Sequence, residues 1–186
     1  MPTFAQRGLA ILSLAFPLAA LAAPDVPHAA VNELDTRHCT QTGGQVQALR
    51  AWANTNAAPE QWVPYGGGAL GCTYTADDGS RITLFNATLM SRAPTMATLA
   101  YYAKVPWDGI GFGNPAWLYC RQLGGAIQVG SNGSGGGWAA KRGDDPIALC
   151  VFADRSAIDD WGLLYHSNDI VRGMDLATVL RFADPY

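Results

Sequence analysis

The 186-residue sequence has few charged residues, 15% in all, and its 12 Lys and Arg are outnumbered by 15 Asp and Glu. The basic residues form no cluster along the chain. A mildly acidic chain of this kind lacks the basic surface that nucleic acid or an anionic membrane attracts. Beyond the N-terminus no apolar run is long enough to cross a bilayer. We therefore expect no nucleic-acid partner and no stable membrane insertion.

Motifs for metal and nucleophile chemistry are also absent. The sequence has no C-x-x-C, no H-E-x-x-H and no G-x-S-x-G. The glycine-rich stretch at 130–138 lacks the Gly-Lys-Ser/Thr of a phosphate loop. The acidic pairs Asp77-Asp78, Asp144-Asp145 and Asp159-Asp160 lie outside any D-x-D-x-D-G calcium loop. We therefore expect no metal ion and no cofactor.

The N-terminus has the pattern of a secretory signal peptide. Arg7 precedes an apolar run that Pro17 interrupts and that ends in small residues. The run is too short and too broken for a membrane span. We expect residues 1–22 to be a signal peptide cleaved near Ala22, which predicts a periplasmic or secreted protein.

Four cysteines, Cys39, Cys72, Cys120 and Cys150, follow that segment. An even number of cysteines in an exported chain favours disulfides over a metal or redox site. Four cysteines allow three pairings. An internal repeat, described next, selects Cys39–Cys72 and Cys120–Cys150.

The repeat is visible around the first and third cysteines. "RHCTQTGGQVQ" (37–47) and "LYCRQLGGAIQ" (118–128) share the cysteine, a glutamine, both glycines and a second glutamine. Two further matched blocks follow in the same order. The sequence therefore predicts two related units, residues 31–103 and 114–186, connected by a joint at 104–113.

Turn and cap residues predict the same order of elements in each unit: helix, strand, loop, hairpin, helix. Asn114 and Pro115 begin the first helix of the second unit, and Gly124 ends it. In the first unit Asn32 and Gly43 take these roles. We expect an α+β fold of two pseudo-symmetric units, each a helix packed on a small antiparallel sheet plus a closing helix.

The second unit also resembles a family of small bacterial cysteine-containing domains of unknown function that carry a haemolysin label. Their pattern is NPAxxYCxxxGG, then a cysteine, a DGS turn and a tryptophan. Three positions depart from it: Arg155 replaces the turn glycine, and two further family cysteines are replaced, one by Ile158 and one at about Asn168. The resemblance implies an envelope or secreted protein and no defined reaction. The matching residues are Asn114, Pro115, Ala116, Tyr119, Cys120, Gly124, Gly125, Cys150, Phe152, Asp154, Ser156 and Trp161.

Two glycine-rich stretches lie between the paired cysteines, at matching places in the two units. Mobile glycine loops beside aromatic residues are typical of recognition surfaces, although core anchoring is an alternative role for the aromatics. The predicted binding loops comprise Trp62, Tyr65, Gly66, Gly67, Gly68, Gly135, Gly136, Gly137 and Trp138.

These observations favour a non-enzymatic binding module of the bacterial envelope, inhibitor-like in character, whose partner is an envelope protein or a glycan. One alternative is an envelope hydrolase that uses His166 with Asp159, Asp160 or Asp169 as a general base. Another alternative is a membrane-damaging protein, as the haemolysin label implies. No acid, base and nucleophile combination is evident in the sequence, which favours the binding module.

Overall fold

The computed structural model describes residues 36–127 and 134–186. Their strands form one seven-stranded antiparallel sheet, which is mixed with helices in an α+β fold. The strands are β1 (Gln45–Ala53), β2 (Val63–Thr75), β3 (Arg81–Phe85), β4 (Ala126–Ile127), β5 (Gly136–Ala139), β6 (Leu149–Val151) and β7 (Ala157–Asp159). Their order across the sheet is β4-β6-β7-β3-β2-β1-β5. The predicted α+β class is confirmed.

Five helices accompany the sheet in the described residues. They are α1 (36–41), α2 (Asn86–Met90), α3 (Met96–Ala103), α4 (Pro115–Gln122) and α5 (Asp160–His166). Short 3-10 turns occupy Pro59–Gln61 and Leu176–Thr178.

Each face of the sheet buries its own set of side chains, because successive residues of a strand point to opposite faces. On the helical face, Tyr74, Ile82, Leu84 and Ile158 pack under the helices. On the other face the buried cluster includes Leu49. There the rings of Phe85 on β3 and Trp138 on β5 meet edge to face, with centroids 5.0 Å apart. Two strands, β2 and β1, separate β3 from β5 in the sheet, so the sheet curls to bring these rings together.

Both predicted disulfides are present. Cys39 joins Cys72 with a Cα–Cα distance of 5.9 Å, and Cys120 joins Cys150 at 5.5 Å. Each bond ties a helix to a strand, α1 to β2 and α4 to β6. Constraining the unfolded chain in this way stabilises the fold by about 2–4 kcal/mol for each bond.

The helix ends follow their sequence signals. Asn114 Oδ1 accepts the backbone N–H of Ala116 at 2.9 Å and begins α4. Gly124 ends α4 with φ +82°, and Gly43 closes α1 with φ +91°. Asn32, the other predicted cap, and residues 1–22 lie outside the described part of the chain.

Three elements differ from prediction. The stretch expected to be a loop at 65–68 belongs to β2, because β1 is nine residues long and pairs with it, Arg50 opposite Gly68. Gly136 and Gly137 lie likewise in β5, opposite β1. The predicted second closing helix is only the 3-10 turn Leu176–Thr178, whereas α3 forms as expected.

Both helix-end motifs place a second glycine against the disulfide. A Cβ on Gly44 would lie 2.5 Å from the Sγ of Cys72, and one on Gly125 would lie 2.9 Å from the Sγ of Cys120 and closer still to that of Cys150. The second glycine of each pair is therefore required, because any side chain at that position would collide with the sulfur atoms.

Gly125→Ala is expected to lower the free energy of unfolding by about 1–3 kcal/mol, because the added methyl group overpacks the disulfide. Gly67→Ala is the matched control, since its Cβ would meet nothing within 4 Å, and its effect should stay within about 0.5 kcal/mol. Urea denaturation of both variants measures the difference. Equal effects would contradict the packing account.

Candidate functional site

An open groove of about 500 Å³ lies where the β2–β3 turn approaches α5. It joins aromatic, aliphatic, acidic and basic side chains, the mixture that is typical of ligand sites. Its lining residues are Asp78, Ser80, Trp161, Tyr165, Ile170, Val171 and Arg172.

Helix α5 supplies the aromatic wall of the groove. Asp159 begins the helix by accepting the backbone N–H of Gly162 at 2.7 Å. Trp161 and Tyr165 follow one turn apart, so both rings lie on the same side of the helix. Their centroids are 5.8 Å apart with an interplanar angle of 32°. The two rings therefore form a tilted aromatic platform beside the groove.

Arg172 covers one end of that platform. Its guanidinium lies 5.3 Å from the centroid of the Tyr165 ring, a cation–π contact. Among the described residues, salt bridges join Arg81 to Asp145 and Lys104 to Asp169, and none involves Arg172. The Arg172 guanidinium thus has hydrogen-bond donors to offer to a ligand.

The β2–β3 turn forms the opposite wall. Ser80 donates its backbone N–H to Asp78 Oδ1 at 2.8 Å, and hydrogen bonds from Ser80 hold the pKa of Asp78 below its ordinary value. Ser80 Oγ accepts the backbone N–H of Gly173 at 3.1 Å. This bond fixes the segment that carries Arg172 against the turn.

A smaller cavity of about 120 Å³ opens beside the groove and shares Trp161 and Arg172 with it. Its lining includes both aliphatic and charged residues. Its lining residues are Arg81, Thr83, Asp145, Pro146, Ile147, Ala148, Asp159, Asp160, Trp161 and Arg172.

The carboxyl groups of Asp159 and Asp160 are both buried at this cavity. Burial raises the pKa of Asp159 to about 6 and, together with repulsion from Asp159, that of Asp160 to about 8. Asp160 Oδ1 accepts a hydrogen bond from the backbone N–H of Trp161 at 2.7 Å. Asp160 Oδ2 has no hydrogen-bond partner in the described residues. A buried acid with a raised pKa and one unpaired oxygen, such as Asp160, is characteristic of functional sites.

The structure does not assemble the histidine–aspartate pair suggested by the sequence. His166 is buried and stacked on Tyr101, with ring centroids 3.7 Å apart, and burial lowers its pKa. Asp169 is exposed and bonds to Lys104 at 2.7 Å. Of the predicted acids, Asp159 and Asp160 reach the cavity, and His166 lines neither the groove nor the cavity.

The predicted binding loops lie elsewhere. Trp62 and Trp138 are buried, at 5% and 6% exposure, as core anchors. Tyr65 is 56% exposed on strand β2, beside Gly66, Gly67 and Gly68. Gly135 precedes β5, which includes Gly136 and Gly137. None of these residues lines the groove.

Sequence reasoning overlooked Tyr165 and Arg172 as site residues, and it used Trp161 only as a family match. The available signal was the aromatic pair at i, i+4 directly after two acids. Arg172 carried no signal, because its position beside Tyr165 depends on the path of the chain after α5.

Comparisons with known proteins find no relative: no family model, no curated protein and no solved structure matches the chain. Within residues 36–127 and 134–186 there is no group of three His, Cys, Asp or Glu side chains arranged to hold a metal ion. No helix in those ranges is long and apolar enough to cross a membrane. Function is therefore inferred from geometry.

Asp160→Asn is expected to stabilise the protein increasingly as pH rises. A buried carboxyl whose pKa is raised to about 8 contributes its stability at low pH and loses it as the pH approaches that value. Between about pH 5 and pH 8 the free energy of unfolding of the variant should therefore rise relative to that of the wild type, by at most about 1.4 kcal/mol per pH unit.

Urea denaturation across that pH range measures the effect. Asp77→Asn, at an exposed acid, is the control and should keep the wild-type pH dependence. If the free energy of unfolding of Asp160→Asn differs from that of the wild type by the same amount at every pH, the burial argument is contradicted.

Proposed function

We propose that the protein is an exported, non-enzymatic binding module of the bacterial envelope, and that its ligand is a glycan held in the groove over Trp161. The observation that carries this proposal is the combination of an aromatic platform, a guanidinium that makes no salt bridge among the described residues and an exposed carboxylate in one open groove. The residues concerned are Trp161, Tyr165, Arg172 and Asp78.

The chemistry of a sugar matches these groups. A pyranose ring has an apolar C–H face, which packs against an aromatic ring, and a rim of hydroxyl groups that donate and accept hydrogen bonds. Arg172 donates only and Asp78 accepts only, so the two side chains serve both kinds of hydroxyl contact. An open groove also admits a chain of sugars, whereas a closed pocket would admit one.

The groove favours binding over catalysis. Ser80 and Tyr165 carry the hydroxyl groups among the described lining residues, and Ser80 Oγ already accepts the backbone N–H of Gly173. No histidine lies among the groove's described residues to activate either hydroxyl.

A strand order that is mirrored between the two halves of the sheet supports the placement of this groove. The order β4-β6-β7 in the second half mirrors β1-β2-β3 in the first, about the pair Leu84 and Ile158. The turn serines also act across the halves: Ser156 Oγ accepts the N–H of Ala97, and Ser80 Oγ accepts that of Gly173. We infer two pseudo-symmetric units, with the groove where the first unit's turn meets the second unit's helix.

Two disulfides support export, because such bonds persist in oxidising compartments. The signal peptide at residues 1–22 and the resemblance to the haemolysin-labelled domains agree with an envelope location, and both stay predictions.

A hydrolase remains the second candidate, and one observation favours it. Asp159 and Asp160 line the small cavity beside Trp161, and their pKa values differ, about 6 and about 8. Two carboxyl groups with separated pKa values can act as base and acid in glycoside cleavage. Release of reducing ends from a bound glycan would favour this candidate over simple binding.

Trp161→Ala is expected to weaken glycan binding about tenfold or more, equivalent to about 1.4 kcal/mol, because the sugar loses its aromatic platform. Trp107→Ala is the matched control, since Trp107 is 37% exposed and lies outside the groove. Binding to an array of immobilised envelope and plant oligosaccharides measures both variants.

Equal binding by the wild type and Trp161→Ala would place the sugar elsewhere. If the protein captures a single envelope protein and binds no glycan, the ligand is a protein and not a glycan.

A further inference from the structure

We infer that the groove selects glycans that contain an N-acetylated amino sugar, and that the acetamido group of that sugar enters the small cavity beside Trp161. The inference rests on the glycan-binding function proposed above and names the ligand class of the same site.

The size of the cavity favours a short substituent. The groove and the cavity share Trp161 and Arg172, so a sugar stacked on Trp161 can direct one substituent into the cavity. The cavity volume of about 120 Å³ is about a quarter of the 500 Å³ of the groove, so the cavity suits a group smaller than the sugar ring that the groove holds. An acetamido group, with four heavy atoms, is such a group.

The lining of the cavity combines apolar and polar groups. Pro146, Ile147 and Ala148 are its aliphatic residues, and apolar surface of this kind suits a methyl group. Arg172 carries donors that suit a carbonyl oxygen, whereas Arg81 is already paired with Asp145.

The carboxylate of Asp159 supplies an acceptor. An acetamido group presents a methyl group, a carbonyl oxygen and an N–H together. A hydroxyl group has no methyl group to pack against the aliphatic residues.

The charges at the cavity favour a neutral substituent. Arg81 and Asp145 are paired in a salt bridge at 2.8 Å, and Arg172 and Asp159 add one charge of each sign. Asp160 adds a carboxyl group that burial keeps protonated at neutral pH, since its pKa is about 8. A neutral substituent that both donates and accepts is therefore the best match.

Isothermal titration with three tetrasaccharides tests the inference on the unmodified protein. The ligands are the tetramer of N-acetylglucosamine, its fully de-N-acetylated form and cellotetraose, which differ at one ring position. We expect the acetylated tetramer to bind about tenfold or more tightly than either of the others.

Equal binding of the three sugars would overturn the inference and leave the proposed glycan-binding function standing. Binding of none of them, and of no glycan on the array, would overturn both. A fourth ligand, the disaccharide repeat of peptidoglycan, separates a cell-wall source from a chitin source of the same acetamido chemistry, because only the former carries a lactyl group.

Ala148→Leu provides a structural test, because the larger side chain takes up space among the residues that line the cavity. The variant should bind the acetylated tetramer no more tightly than cellotetraose. Ala177→Leu, on the exposed 3-10 turn, is the matched control and should behave as the wild type. An unchanged preference in a folded Ala148→Leu variant would overturn the inference. The comparison of tetrasaccharides on the wild type decides it if that variant does not fold.

Discussion

Strand β3 pairs with strand β7 at Leu84 and Ile158, and this pairing joins the two disulfide-linked halves into one sheet. Both side chains are almost fully buried, at 0% and 1% exposure, under the helices of the two halves. Because β7 leads directly into α5, the same pairing sets Trp161 beside the Asp78–Ser80 turn. The groove thus depends on a contact between strands that lie far apart in the sequence.

Local sequence signals predicted the local structure well. The disulfide pairing, the Asn114 cap and the left-handed Gly124 each depend on neighbouring residues or on one repeated motif, and the structure contains all three. The glycine stretch at 65–68 was predicted as a loop because glycine disfavours strands in isolation. Its pairing with β1 outweighs that preference, and such pairing is not visible in the sequence. The groove was not predictable as a site, because its residues come from a turn, a helix and a later segment.

Buried polar groups are retained at a cost in stability. Helices α2 and α5 each begin with a buried polar residue, Asn86 or Asp160, that has side-chain atoms without partners in the described residues. An unpaired buried polar atom costs about 1–3 kcal/mol. At Asp160 the polar residue adjoins the cavity to which we assign the proposed binding role.

Amide and indole chemical shifts during titration with the N-acetylglucosamine tetramer test the central claim most directly, that both halves of the sheet build one glycan site. The account predicts shift changes at the indole N–H of Trp161 and at the backbone amides of Ser80 and Arg172, which come from opposite walls of the groove. Shift changes confined to one wall, or to the region around Trp107, would contradict it.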